Sequence, residues 1–103
     1  MLSRKLIVAM VFFLMMVAGG ALAGGDPANG VELSIDCADC HGDDGLGDEH
    51  IPRIAGLDAA DLLKKLTDFQ SGAVESEMVD FIEGYSEQDL LDLAAYYATL
   101  PAD

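Results

Sequence analysis

Basic residues are scarce in this chain of 103 residues: five lysines and arginines stand against 19 aspartates and glutamates, for a formal net charge of −14. Such a chain lacks the Lys and Arg clusters that neutralise phosphates, which excludes nucleic acid as a partner. It is likewise not drawn to anionic membrane surfaces. Cysteine is equally sparse, with Cys37 and Cys40 alone. A disulfide between them would close a very small loop and stabilise little. Structural zinc takes four N or S ligands, and the chain offers only Cys37, Cys40, His41 and His50, two of them adjacent. A thioredoxin-like redox pair belongs to a βαβ pattern, and none is visible. Internal repeats and long linkers are missing too.

Long apolar runs are confined to the start. Arg4 and Lys5 precede the uninterrupted apolar stretch Leu6 to Val17, and Ala21-Leu22-Ala23 puts small residues where a signal peptidase reads. This pattern predicts a cleaved signal peptide over 1–23 and one mature domain over 24–103. The rival reading is an uncleaved anchor, because no charge appears from Leu6 to Gly25, about the 20 residues a membrane helix needs. In both readings the folded part lies outside the cytoplasm: periplasmic, or membrane-anchored if the leader is kept. Past the leader all 19 acidic residues remain, against only Arg53, Lys64 and Lys65. That field would steer the protein to a basic docking patch on a partner, at a salt-sensitive rate. Solubility in a salty environment accounts for the same charge.

What is present is Cys37-Ala38-Asp39-Cys40-His41. Two thiols two residues apart, followed at once by histidine, form the attachment sequence of a c-type haem. Each cysteine can add across one porphyrin vinyl group, and the histidine is then held where its imidazole can ligate the iron. One covalently attached haem c would also staple a domain of about 80 residues, whose core is otherwise marginal. Four of the five methionines, Met1, Met10, Met15 and Met16, lie in the leader, so Met78 is the one left to ligate the iron on the far side. A thioether there raises the reduction potential. The competing reading of Met78 is a gap-filling core residue. His50 sits nine positions after His41 in an acidic loop, too close to reach the opposite face without strain, and reads as a solvated histidine.

The rest reads as helices joined by Gly-rich loops. Asp26-Pro27 is a helix start, with a short helix from Ala28 to about Asp36. Residues 42–49 hold three glycines and four acids without apolar period and form a loop, and Ile51-Pro52-Arg53-Ile54 is extended. Asp58 caps a helix on which Leu62, Leu63, Leu66 and Phe69 share a face, with Gly72 as its stop. A short helical segment covers about Ser76 to Ile82. Ser86-Glu87-Gln88-Asp89 is similar to a capping box, and Leu90, Leu93, Ala94 and Tyr97 line one side of the last helix, which Pro101 ends.

On these residues the chain resembles the class I c-type cytochromes over nearly all of 24–103. The matching runs are Cys37 to Gly42, Asp44-Gly45, Pro52-Arg53-Ile54-Ala55-Gly56, Phe69-Gln70-Ser71-Gly72, Met78, Ser86 to Asp89 and Leu93 to Tyr97. It looks most like small bacterial periplasmic monohaem cytochromes. The Phe69 to Gly72 and Gly84-Tyr85-Ser86 stretches are also similar to the cytochrome subunit of flavocytochrome c sulfide dehydrogenase. The resemblance implies an all-α class I cytochrome c fold wrapped around one haem, with first and last helices crossing. It implies Cys37 and Cys40 as thioether sites, and His41 and Met78 as axial ligands. It further implies that the Pro52 carbonyl orients the His41 ring and that Gly30 permits close helix crossing, against Tyr97. Arg53 is a candidate to neutralise a propionate, or a plain surface arginine. Ser34 departs from the family, standing where an aromatic residue often serves that crossing.

The function expected is a periplasmic carrier shuttling single electrons between redox partner proteins, not an enzyme. A second expectation is an electron-accepting subunit bound to a flavoprotein that oxidises sulfide. A third, of another class, is a haem enzyme or ligand sensor in which Met78 leaves the iron.

Overall fold

The computed structural model describes residues 24–103; the expected leader over 1–23, with its cleavage, lies outside the described residues. Among these residues there are four helices and no strand: α1 (Pro27–His41), α2 (Ala59–Ser71), α3 (Val79–Ile82) and α4 (Glu87–Ala98). No helix among them is long and apolar enough to cross a membrane.

Asp26 caps α1 by accepting from the Ala28 amide at 3.0 Å, with Pro27 in the first turn. The helix does not stop near Asp36 as expected but runs through the attachment motif to His41. Nothing in Cys37 to His41 breaks a helix; Gly42, at φ 86°, is the first residue to leave the helical region. Cys37, Cys40 and His41 therefore stand at i, i+3 and i+4, on one face of one turn.

Helix α2 starts where Asp58 accepts from the Asp61 amide and stops at Gly72 in the left-handed conformation. It buries Leu62 and Leu66, as its spacing predicts. Helix α3 is shorter than expected: the residues before it are joined to its start by i to i−3 bonds, the Val79 amide to the Ser76 carbonyl at 3.3 Å and the Asp80 amide to the Glu77 carbonyl at 3.2 Å. The Met78 amide donates to the Ser76 hydroxyl at 3.1 Å. Helix α4 opens with the predicted capping box: the Ser86 hydroxyl accepts from the Asp89 amide at 3.0 Å, and the Asp89 carboxylate from the Ser86 amide at 3.1 Å.

Two faces of α4 are covered. Leu90, Leu93, Ala94 and Tyr97 join Leu62, Leu66 and Ile82 in the core. The other face meets α1. A Cβ at Gly30 would overlap the Asp92 carbonyl oxygen and the Tyr96 Cβ. The close approach is thus to Asp92 and Tyr96, on the helix face next to that of the Tyr97 expected. Ser34 is buried beside this crossing and satisfies its hydroxyl within α1, donating to the Val31 carbonyl at 2.7 Å.

Asp92 is the residue the periodicity did not single out. It is only 2% exposed, and its carboxylate accepts from the Asp26 amide at 2.8 Å, the Asn29 amide nitrogen at 2.7 Å and the Gln88 amide nitrogen at 2.9 Å. Burial pushes its carboxyl up, but these three hydrogen bonds together outweigh burial and leave it below the ordinary carboxylate range. The native state then binds fewer protons here than the unfolded chain, so the contribution is full above the ordinary carboxylate pKa and fades as pH falls through the native value. Asp92→Asn is expected to lower stability by about 1–3 kcal/mol at pH 7. In urea unfolding its gap to the parent should close on acidification below about pH 4. A gap independent of pH would refute the assignment.

Candidate functional site

The end of α1, the loop that follows, the inner faces of α2 and α4 and the Met78 segment enclose a cleft of about 430 Å³. Its apolar walls are Ile54, Leu57, Leu62, Leu66, Phe69, Phe81, Leu93 and Tyr97. Cys37, Cys40, His41, Pro52, Arg53 and Met78 all line it. Every site residue singled out from the sequence thus arrives at one place. Cys37, Cys40, His41 and Met78 also line a smaller recess beside it, with Phe81, Ile82 and Tyr85.

His41 is 6% exposed, and its Nδ1 lies 2.8 Å from the Pro52 carbonyl oxygen. A carbonyl can only accept, so Nδ1 carries the proton and donates, leaving Nε2 as a lone pair free for a metal. This contact needs a chain reversal within eleven residues. The acidic loop supplies it. The Gly47 amide donates to the His41 carbonyl at 2.8 Å, and the Asp48 amide to the Ile51 carbonyl at 2.8 Å. The Asp48 carboxylate accepts from the His50 amide at 2.7 Å and the Ile51 amide at 2.8 Å, which holds that carboxyl below its usual range. Gly47 has φ 68°, and a Cβ there would overlap the Ile51 carbonyl.

Cys37 is half-buried and Cys40 exposed, both as free thiols. Burial pushes the Cys37 thiol up; a hydrogen bond with the Tyr97 hydroxyl opposes this, and the Asp36 charge adds to it. Burial also raises the Tyr97 phenol well above its ordinary value. The Tyr97 hydroxyl that α4 offers to Cys37 is thus neutral. Met78 is half-buried, its carbonyl accepting from the Phe81 amide at 3.1 Å and the Ile82 amide at 3.3 Å.

Arg53 is exposed, lines the cleft and donates from Nη1 to the Ala102 carbonyl at 3.2 Å. His50 also reaches the cleft, yet its side chain is 83% exposed and lies 3.7 Å from the Glu49 carboxylate, as a solvated rim residue should. Lys65, which lines the cleft, is the residue sequence reasoning missed. Its signal was present: Leu62, Lys65, Leu66 and Phe69 form one i, i+3, i+4, i+7 stripe, and the lysine is the polar member of an apolar face. Of three basic residues past the leader, two line the cleft, and Lys64 pairs instead with Asp68 at 2.7 Å.

These groups fit a haem. The donor set is an imidazole with its proton fixed away from the free nitrogen, a thioether, and two thiols one helical turn apart. The walls are apolar, and two cations suit two propionates.

Comparison with known proteins agrees with this. The cytochrome c family model matches residues 27–101. Cytochrome c4 of Pseudomonas aeruginosa is 37% identical over 98 residues, covering 93% of this chain and 48% of that one. The cytochrome subunit of sulfide dehydrogenase of Chlorobaculum tepidum is 29% identical over 99 residues, covering 84% of this chain and 90% of that one. Among solved structures, reduced recombinant cytochrome c4 from Pseudomonas stutzeri superposes with a TM-score of 0.68 at 34% identity, over 75% of this chain and 46% of that one. The chain spans about half the length of the cytochrome c4 proteins it matches.

The loop geometry makes Gly47 a support for the His41–Pro52 hydrogen bond. Gly47→Ala should cost about 1–3 kcal/mol in denaturant unfolding, since a side chain is strained there. It should also displace the NMR resonance of the His41 Nδ1 proton. An unmoved resonance would mean that the Pro52 carbonyl is placed without help from Gly47.

Proposed function

Since the chain belongs to the cytochrome c family and has the class I cytochrome c fold, we propose that it is a one-electron carrier holding a single haem c. Cys37 and Cys40 make the thioether links, while His41 Nε2 and the Met78 sulfur bind the iron. The observation that carries this reading is the His41 Nδ1–Pro52 bond at 2.8 Å, which puts the proton of the neutral imidazole on Nδ1 and leaves Nε2 as its lone-pair nitrogen, in a cleft that Met78 also lines. A haem supplies the redox chemistry, its iron passing between ferric and ferrous.

The protein residues bind, orient and shield. The Pro52 carbonyl fixes the imidazole tautomer and raises its basicity. Leu62, Leu66, Phe69 and Leu93 keep water from the inner wall, and Arg53 and Lys65 offset the charge of the propionates. With His41 and Met78 both committed, no position is left for a substrate. That separates a carrier from a haem enzyme or ligand sensor, which would need Met78 to leave.

The domain over 24–103 works outside the cytoplasm, in the periplasm, once the leader over 1–23 is removed. Support for this is the basic, apolar and small-residue pattern of the leader. Partners are redox proteins that present a basic patch, since the acidic charge is left largely unpaired by three basic residues. A second reading is supported by the Chlorobaculum protein, of which this chain covers 90%: an electron-accepting subunit held by a flavoprotein that oxidises sulfide.

Met78→Ala is expected to abolish the weak absorbance band at the red end of the ferric spectrum that thioether ligation produces. An unchanged band would remove Met78 from the iron. Carbon monoxide should not bind the untreated ferrous protein; binding would favour the enzyme or sensor reading. Replacing Cys37 and Cys40 together with alanine should make the haem extractable by acid acetone, and covalent haem in that variant would refute the attachment. Flavin co-purifying with the chain would favour the subunit reading over the free carrier.

A further inference from the structure

Gln70 stands near the end of α2, part-buried and outside the cleft lining. Its Nε2 lies 2.8 Å from the Ile82 carbonyl and 2.7 Å from the Tyr85 carbonyl. Both partners are acceptors, so the amide nitrogen must face them, and both of its N–H groups are used. The two carbonyls belong to the end of α3 and the turn after it, the segment that opens at Met78.

That segment is weakly held by its own bonds. Helix α3 has four residues, far below the length at which a helix holds itself. Residues 73, 74, 75 and 77, which lead into it, are exposed. Before Met78 the ties are the Val74 amide to the Asp68 carbonyl at 3.2 Å, at the end of α2, and the Met78 amide to the Ser76 hydroxyl at 3.1 Å, which is local. After Met78 the anchors are Ile82, 1% exposed in the core, the Gln70 carboxamide, which ties the turn to α2, and the Tyr85 hydroxyl, which donates to α1 at the Asp36 carboxylate at 3.3 Å. Gln70 closes a loop across twelve residues to Ile82 and fifteen to Tyr85. It thereby fixes the height of the Met78 turn along α2.

We propose that Gln70 is the positioning residue for Met78: its two hydrogen bonds pin the turn behind Met78 to α2 and hold the thioether at the cleft. This rests on Met78 being an iron ligand. Without the carboxamide the turn gains alternative positions, and the sulfur spends part of its time away from the iron.

The test uses the haem-loaded protein and two variants. Gln70→Glu keeps the length and shape but turns two donors into a carboxylate facing two carbonyl oxygens; Gln70→Ala removes the group. Both are expected to weaken the thioether–ferric band and to raise the apparent affinity of added imidazole, which competes with Met78, by about tenfold. Asp92→Asn, which loosens the α1–α4 crossing instead, serves as the comparison: its melting temperature should fall with band and imidazole affinity unchanged. If Gln70→Glu keeps the parent band and imidazole affinity, or if Asp92→Asn changes them equally, the positioning role is wrong while Met78 ligation stands. If the parent protein lacks the band and matches Met78→Ala, the Met78 reading fails and this inference goes with it.

Discussion

The crossing of α1 over α4 is the constraint on which the rest of the structure depends. Only a residue without a side chain lets the two backbones meet as closely as they do at Gly30 and Asp92. The Asp92 carboxylate then bonds the start of α1 through the Asp26 amide and Asn29. A helix fixed at its first turn carries its last turn to a set position about 20 Å away, at 1.5 Å per residue. That last turn holds both thiols and His41, and α4 brings Tyr97 and Leu93 to face them. The close crossing at Gly30 therefore aligns the attachment motif with its apolar walls, and the Asp92 bonds add stability to it.

From His41 onward, position is set by backbone turns rather than by burial. The loop is rich in acids and has few apolar side chains, yet it is not a slack tether. Glycines at positive φ and the Asp48 carboxylate fold it back so that a carbonyl at Pro52 meets the imidazole. The carbonyl decides where the imidazole proton sits, and the proton decides which nitrogen can bind a metal. A turn in the backbone is thus converted into a choice of tautomer.

Much of this was legible in the sequence, for identifiable reasons. The attachment motif, the Asp58 and Ser86 caps, the Gly72 stop and the apolar face of α2 are local patterns, and each is found where its residues place it. The role of Pro52 beside His41 was expected from family resemblance, and that of Met78 already from its being the one methionine past the leader; both line the cleft. Three things were not legible. The length of α1 was underestimated because the attachment residues have no strong helix preference, and only the Gly42 backbone ends the helix. The partner of Gly30 was placed one residue away, since Tyr97 belongs to the core face of α4 and Tyr96 to the crossing face. Asp92 looked like one more surface acid among 19; its burial depends on Asp26, Asn29 and Gln88 meeting it, which no single-helix pattern contains.

The two proposed axial ligands are held with unequal firmness, and the difference bears on function. His41 ends a fifteen-residue helix, is buried, and has its ring fixed from the loop side. Met78 opens a four-residue helix after an exposed stretch and depends on ties made further along the chain. If one ligand leaves, it is the thioether, because displacing it disturbs only a short segment, whereas displacing the imidazole means disrupting the end of α1. A carrier needs that weak side kept closed, since an iron with both axial positions filled passes electrons with little rearrangement. A sensor or peroxidase needs it to open. The choice between these chemistries on this fold therefore lies less in the identity of residue 78 than in how firmly the turn behind it is fastened to α2.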